Sequence, residues 1–162
     1  MADTSANHRQ APLTEKLTIP LQKLAEDAVV PHEAYEGDAG VDLCALEAVD
    51  LAPFERRLIP TGLAIAIPRG FGGFVLPRSG MAIKKGLSLA NTPGLIDSNY
   101  RGELKVAAIN LDAKNTIHID KGDRIAQLVI MRVAEVSFQE RDSLDETERG
   151  AGGFGSSGIQ AH

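Results

Sequence analysis

Short apolar runs rich in Val, Ile and Leu, separated by Gly, Pro, Asn and Asp, fill the chain from Leu17 to Val133. β-Branched side chains pack well on a pleated surface, whereas a helix needs a longer stretch with a 3.6-residue period. The pattern therefore predicts strands at 17–24, 41–45, 58–67, 73–76, 104–111, 116–119 and 124–133. Only 79–85, bounded by Pro77 and Gly86, suggests a helical turn. Pro60 has no N–H to give to a ladder, so it implies a bulge or a sheet edge within 58–67. The expected fold is all-β, a jelly-roll-like barrel or sandwich.

The pattern stops after Phe138. Residues 139–148 are strongly charged and 150–158 are dominated by Gly and Ser, a composition that buries too little apolar surface to offset the entropy of ordering. The expected organisation is a flexible N-terminal extension over 1–15, one β domain over 16–138, and a flexible C-terminal arm over 139–162. No internal repeat is visible.

Composition narrows the functional classes. The 162 residues are enough for one core, and 43% hydrophobic with 24% charged residues is ordinary for a globular domain. A net charge of -5 argues against a general electrostatic grip on nucleic acid, so phosphate chemistry here must use a few placed cations. Cys44 is the single cysteine, which rules out an intrachain disulfide and fits a packing role in a reducing compartment, and the four histidines lack zinc-ligand spacing. The polar start has no signal-peptide core and no segment has the apolar length of a membrane span, so a cytoplasmic location without membrane association is expected.

Two segments carry candidate chemistry. Pro77-Arg78-Ser79-Gly80 follows an apolar strand, so backbone amides, a hydroxyl and a guanidinium can converge on phosphate oxygens. Gly94-Leu95-Ile96-Asp97-Ser98-Asn99-Tyr100-Arg101-Gly102-Glu103 reads as an interrupted hairpin with an acid able to polarise water and a ring able to pack on a sugar. Taken singly, each has an ordinary alternative: a proline-glycine turn, a turn-capping aspartate, a half-buried strand aromatic.

Together with Asp38-Ala39-Gly40-Val41-Asp42-Leu43, Gly122-Asp123-Arg124-Ile125-Ala126-Gln127-Leu128 and Arg149-Gly150-Ala151-Gly152-Gly153-Phe154-Gly155-Ser156-Ser157-Gly158, these segments make five motifs in one order. In them the chain resembles the homotrimeric, magnesium-dependent dUTPases, and the likeness covers almost everything from Leu17 to Gly158. The resemblance implies a jelly-roll trimer whose active sites are shared between subunits, each closed by the arm of one chain. It implies hydrolysis of dUTP to dUMP and pyrophosphate by in-line attack of water on the α-phosphorus, which limits dUTP incorporation into DNA and supplies dUMP for thymidylate synthesis.

Roles follow by motif. Asp97 matches the acid that holds and deprotonates the water, and Asp42 the aspartate that touches Mg2+ through water. Arg78, Ser79 and Gly80 match the phosphate-contacting segment, and Gln127 the glutamine at the innermost phosphate. Asn91, the backbone of Leu95 and Ile96, and Lys105 match the uracil pocket, while Tyr100 would exclude a ribose 2'-hydroxyl. In the arm, Arg149, Ser156 and Ser157 match terminal-phosphate ligands, Phe154 the ring that stacks on uracil, and Gly155 a substrate-binding position between them. Several ordinary alternatives stay open: Gln127 as a strand amide sharing a face with Ile125 and Val129, Asp42 as an edge-strand aspartate, Asp38 as structural, and Asp123 with Arg124 as a supporting ion pair. A dCTP deaminase and a non-catalytic nucleotide binder are the competing readings.

Overall fold

The computed structural model describes residues 17–153. These form β1 (Leu21–Lys23), β2 (Val41–Cys44), β3 (Val49–Leu51), β4 (Arg56–Pro60), β5 (Leu63–Ile65), β6 (Phe71–Leu76), α1 (Ser79–Lys85), β7 (Leu87–Leu89), β8 (Gly94–Ile96), β9 (Lys105–Asn110), β10 (Ile117–Ile119) and β11 (Arg124–Arg132). All pairings are antiparallel: a four-stranded sheet of order β2-β11-β6-β8, a three-stranded sheet β4-β9-β7, and two pairs, β1-β5 and β10-β3.

The inward faces of these sheets meet in one core. Leu43, Val75, Ile125 and Leu128 of the larger sheet lie in the same buried cluster as Ile59, Val106, Leu87 and Ile119 from the other sheets. A fully buried Leu or Ile contributes roughly 1.5–3 kcal/mol over the exposed side chain, so this cluster is what holds the layers together. Among the described residues, the two buried polar side chains, Thr61 and Asn110, are both satisfied. Thr61 donates to the Leu104 carbonyl at 2.6 Å, and Asn110 donates to the Leu51 and Asn115 carbonyls, both at 2.9 Å, while accepting from the Asp112 amide at 2.8 Å.

The expected jelly-roll-like all-β architecture is present, with differences in detail. The run 58–67 is two strands in different sheets, divided at Gly62, whose φ of +70° and close approach to Ala28 leave no room for a side chain. Pro60 lies on β4, an edge strand as anticipated, opposite Lys105. Strands β3 and β7 were not anticipated; each is three residues long and shows too little alternation to read. The segment 94–103 is not a paired hairpin, because β8 joins β6 while β9 joins β4 and β7. Helix α1 has the anticipated limits, and Gly86 ends it in the left-handed region at φ +75°.

Candidate active site

Central strand β11 assembles the first opening. Gln127 is paired with Asp42 of β2 on one side and Leu76 of β6 on the other. Its side-chain amide donates to the Pro77 carbonyl at 3.0 Å, tying the Arg78 turn to the sheet. Gly40 closes the ladder here, where a Cβ would sit 3.1 Å from the Leu128 carbonyl oxygen and from Val129 Cγ2. Asp42, Arg78, Ser79, Gly80, Arg124 and Gln127 all line this pocket of about 810 Å³.

An ion cluster organises it. Asp42 Oδ1 accepts from Arg78 Nε at 2.7 Å and Asp42 Oδ2 from Arg78 Nη2 at 3.4 Å, while Arg124 Nη1 reaches Oδ2 at 3.3 Å. Arg78 also donates from Nη1 to the Arg124 carbonyl at 3.4 Å. The Asp42 side chain is only 22% exposed, so these charge-assisted bonds are partly shielded from water. Cys44 is buried opposite Arg124 in the β2–β11 ladder; burial pushes its thiol up, and the Asp42 charge adds to this against the two arginines.

Arg124 owes its place to a β-bulge between Arg124 and Ala126, where the β11–β2 register shifts. Ile125 and Ala126 both enter the core, so Ile125 does not share a face with Gln127 and Val129 as simple alternation suggests. The same shift turns Arg124 from the core side to the pocket side. A bulge has no residue signal of its own, so the sequence alone does not place Arg124 in the site. Tyr35 and Lys84, from the loop before β2 and from α1, also line this pocket and were not anticipated.

The anticipated acid lies elsewhere. Asp97, just past the end of β8, shares with Leu95, Ser98 and Asn99 a second opening completed by Arg69, Phe71, Gly72 and Val133. The two openings have no lining residue in common. Asp97 follows Ile96, which pairs with Gly73, and from Gly73 the near-extended chain to Arg78 covers roughly 16 Å at ~3.3 Å per residue. One chain therefore brings Asp42, Arg78, Ser79, Gly80 and Gln127 together but keeps Asp97 apart from them.

Around Asp97 the turn is tightly braced. Tyr100 donates from its backbone to the Asp97 carbonyl at 3.1 Å and from its hydroxyl to the Glu103 carbonyl at 3.0 Å. Arg101 Nη1 donates to the Ser98 and Tyr100 carbonyls at 2.8 and 2.6 Å. Asn91 is exposed and lies over Gly94, 3.3 Å from where a Cβ would be. Leu95 is 60% exposed while Ile96 packs on the core. Lys105 pairs with Glu103 at 3.3 Å, and Glu103 accepts from the Gly62 amide at 2.9 Å. Arg149 donates to the Gly152 carbonyl at 2.9 Å and lines neither opening. Phe154, Gly155, Ser156 and Ser157 lie outside the described residues.

The family model for dUTPase matches residues 26–158. The chain belongs to the dUTPase family. A deoxyuridine 5'-triphosphate nucleotidohydrolase of Rhodococcus erythropolis is 53% identical over 149 residues, spanning 92% of this chain and 91% of its own. One from Nocardia farcinica is 56% identical over 143 residues, spanning 88% and 87%. Among solved dUTPases, a Staphylococcus bacteriophage 80alpha variant with dUpNHpp has a TM-score of 0.81 at 30% identity, covering 89% of this chain and 100% of that one. A dUTPase variant from phage phi11 of S. aureus, described for its coordination of a structural Mg(II) ion, has a TM-score of 0.73 at 28% identity, covering 78% and 98%. Among the described residues of this dUTPase-family chain, no helix is long and apolar enough to cross a membrane, and no group of three or more His, Cys, Asp or Glu side chains could hold a metal ion.

Proposed function

We propose that this chain hydrolyses dUTP to dUMP and pyrophosphate with Mg2+, in active sites built where subunits of a homotrimer meet. The observation that carries the reading is the separation of Asp97 from the Arg78–Gln127 pocket along β6, in a chain whose relatives are named for this hydrolysis. A second subunit supplies the missing half of each site, with the acid of one chain facing the phosphate pocket of another.

In that site Asp97 accepts a hydrogen bond from the attacking water and takes its proton as oxygen adds to the α-phosphorus. Arg78 and Ser79 donate to the phosphate chain, and the open space at Gly80, where a Cβ would meet nothing within 4 Å, leaves room for a phosphate oxygen. Gln127 sits beside them at the innermost phosphate, its amide nitrogen fixed on Pro77. Asn91, the Leu95 and Ile96 backbone and Lys105 line the uracil pocket, where a cytosine edge would leave buried groups unpaired. Tyr100 lies against the deoxyribose.

The donor set fits magnesium in one manner only. Among the described residues no cage of carboxylates is available, so an ion here takes its ligands from phosphate and water, and Asp42 touches it through a water. When bound, the metal neutralises charge that moves onto the pyrophosphate leaving group. The arm over 139–162 closes the site, with Arg149, Ser156 and Ser157 at the terminal phosphate, Phe154 on the base and Gly155 between them. We assign the protein to the cytoplasm, acting on free nucleotide rather than on nucleic acid or membrane, in keeping with its net charge of -5.

Pyrophosphate release measured with dUTP, UTP, dTTP and dCTP in magnesium tests the reading. Turnover confined to dUTP is expected. Ammonia from dCTP, or binding of dUTP without turnover, would replace it with a deaminase or a nucleotide sensor.

A further inference from the structure

Asp42 has two cationic partners, and substrate must compete for one of them. Arg78 holds the carboxylate through two nitrogens, at 2.7 and 3.4 Å, yet it also belongs to the Pro77-Arg78-Ser79-Gly80 segment that faces the phosphates. A guanidinium that turns to a phosphate gives up part of its fork to it, because a bidentate phosphate pair uses two parallel N–H groups. Arg124 is placed differently. It approaches only Oδ2, from the bulged start of β11 on the same pocket face, and its carbonyl simultaneously receives Arg78. The bulge that brings it to this face is a specific local distortion of the longest strand.

We infer that Arg124 is a positioning residue for the metal-ordering carboxylate: it keeps Asp42 aimed once Arg78 engages phosphate. The inference rests on the function proposed above and deepens it. Before substrate arrives the two arginines share Asp42. With substrate bound, Arg78 moves its donors to phosphate, and a carboxylate left alone would lose both its orientation and the compensation of its partly buried charge. Arg124 retains one oxygen, which leaves the other free to accept from a water on the magnesium ion. Such outer partners commonly set metal affinity without touching the metal. A single contact at Oδ2 does not require the planar fork, so lysine should serve in its place.

The test compares wild type, Arg124→Gln and Arg124→Lys as intact oligomers, by calorimetric titration with a non-hydrolysable imido analogue of dUTP and, separately, with inorganic pyrophosphate. Each titration is run in EDTA and in magnesium. The expected result is that Arg124→Gln weakens binding about tenfold or more in magnesium, leaves binding in EDTA within ~2-fold of wild type, and raises the half-saturating magnesium concentration of turnover by a similar factor. Arg124→Lys should restore most of the magnesium-dependent part. Equal weakening with and without magnesium would make Arg124 a direct phosphate ligand and overturn the inference; so would unchanged binding in magnesium. A wild type that binds neither probe more tightly with magnesium also overturns it. A wild type that shows the magnesium-dependent pattern but leaves dUTP intact would sink the proposed hydrolysis alone.

Discussion

Tyr100 is folded over Gly102, and a Cβ on that glycine would collide with the Tyr100 hydroxyl and ring. The hydroxyl's bond to the Glu103 carbonyl at 3.0 Å fixes the ring in that position. Gly102→Ala must therefore displace the ring, and with it the surface proposed to sense the sugar. A fall in kcat/KM for dUTP of about 10²-fold is expected, with a smaller fall for UTP, because misplacing a substrate-positioning group by ~1 Å costs on that scale. Equal losses for both nucleotides would separate Tyr100 from sugar selection.

Replacing Asp97 by asparagine keeps the turn's size and removes the proton acceptor. Turnover should fall by roughly 10²–10⁴, the usual worth of a placed base, while binding of dUTP with magnesium stays near wild type. Single-turnover kinetics alongside equilibrium titration distinguishes this from a folding defect.

Subunit mixing tests the sharing of sites directly. Asp97→Asn and Arg78→Gln should each be nearly inactive alone. If the acid and the phosphate pocket come from different chains, mixed trimers formed after denaturation and refolding should recover activity in roughly a quarter of their sites at equal ratio. No recovery, with mixed trimers present by native mass spectrometry, would place both groups of a working site in one chain.

Stability should depend on pH through His118. On the outer edge of the β10–β3 pair, His118 hydrogen-bonds through Nδ1 to Asp50, its cross-strand partner, and through Nε2 to Asp120 at 3.1 Å. The hydrogen bond to Asp50, then that to Asp120 and the two charges, holds the imidazole's pKa above its ordinary 6.5. A raised folded-state pKa makes this contribution full below the unfolded value and removes it as pH rises through the folded one. The melting-temperature gap between wild type and His118→Asn should thus be wider at about pH 6 than at about pH 9. A gap independent of pH would mean that the contact is merely steric.

Much of the fold was legible because alternation and β-branching do most of the work in β2, β6, β9 and β11, and because Pro77 and Gly86 bracket α1. What escaped has specific physical causes. Strands of three residues such as Val49–Leu51 and Leu87–Leu89 are fixed by their partners rather than by their own pattern. Gly62 lies inside the single run 58–67, and its φ of +70° is what makes it the division between β4 and β5. In the site, the residues of the Arg78 turn were legible as a motif, but Arg124 was hidden by a bulge that reverses its face. Nor could spacing along the chain say that Asp97 stands at the opposite end of β6 from Arg78, since that distance is set by the β6–β8 register.

The buried cysteine has a practical corollary. Thiolates, not thiols, react with oxidants and alkylating agents, and Cys44 is both covered and held in its protonated form. The native protein should accordingly resist sulfenylation and maleimide labelling, so that the appearance of a labelled sulfur in a pulse experiment reports opening of the β2–β11 ladder and serves as a clock for local unfolding.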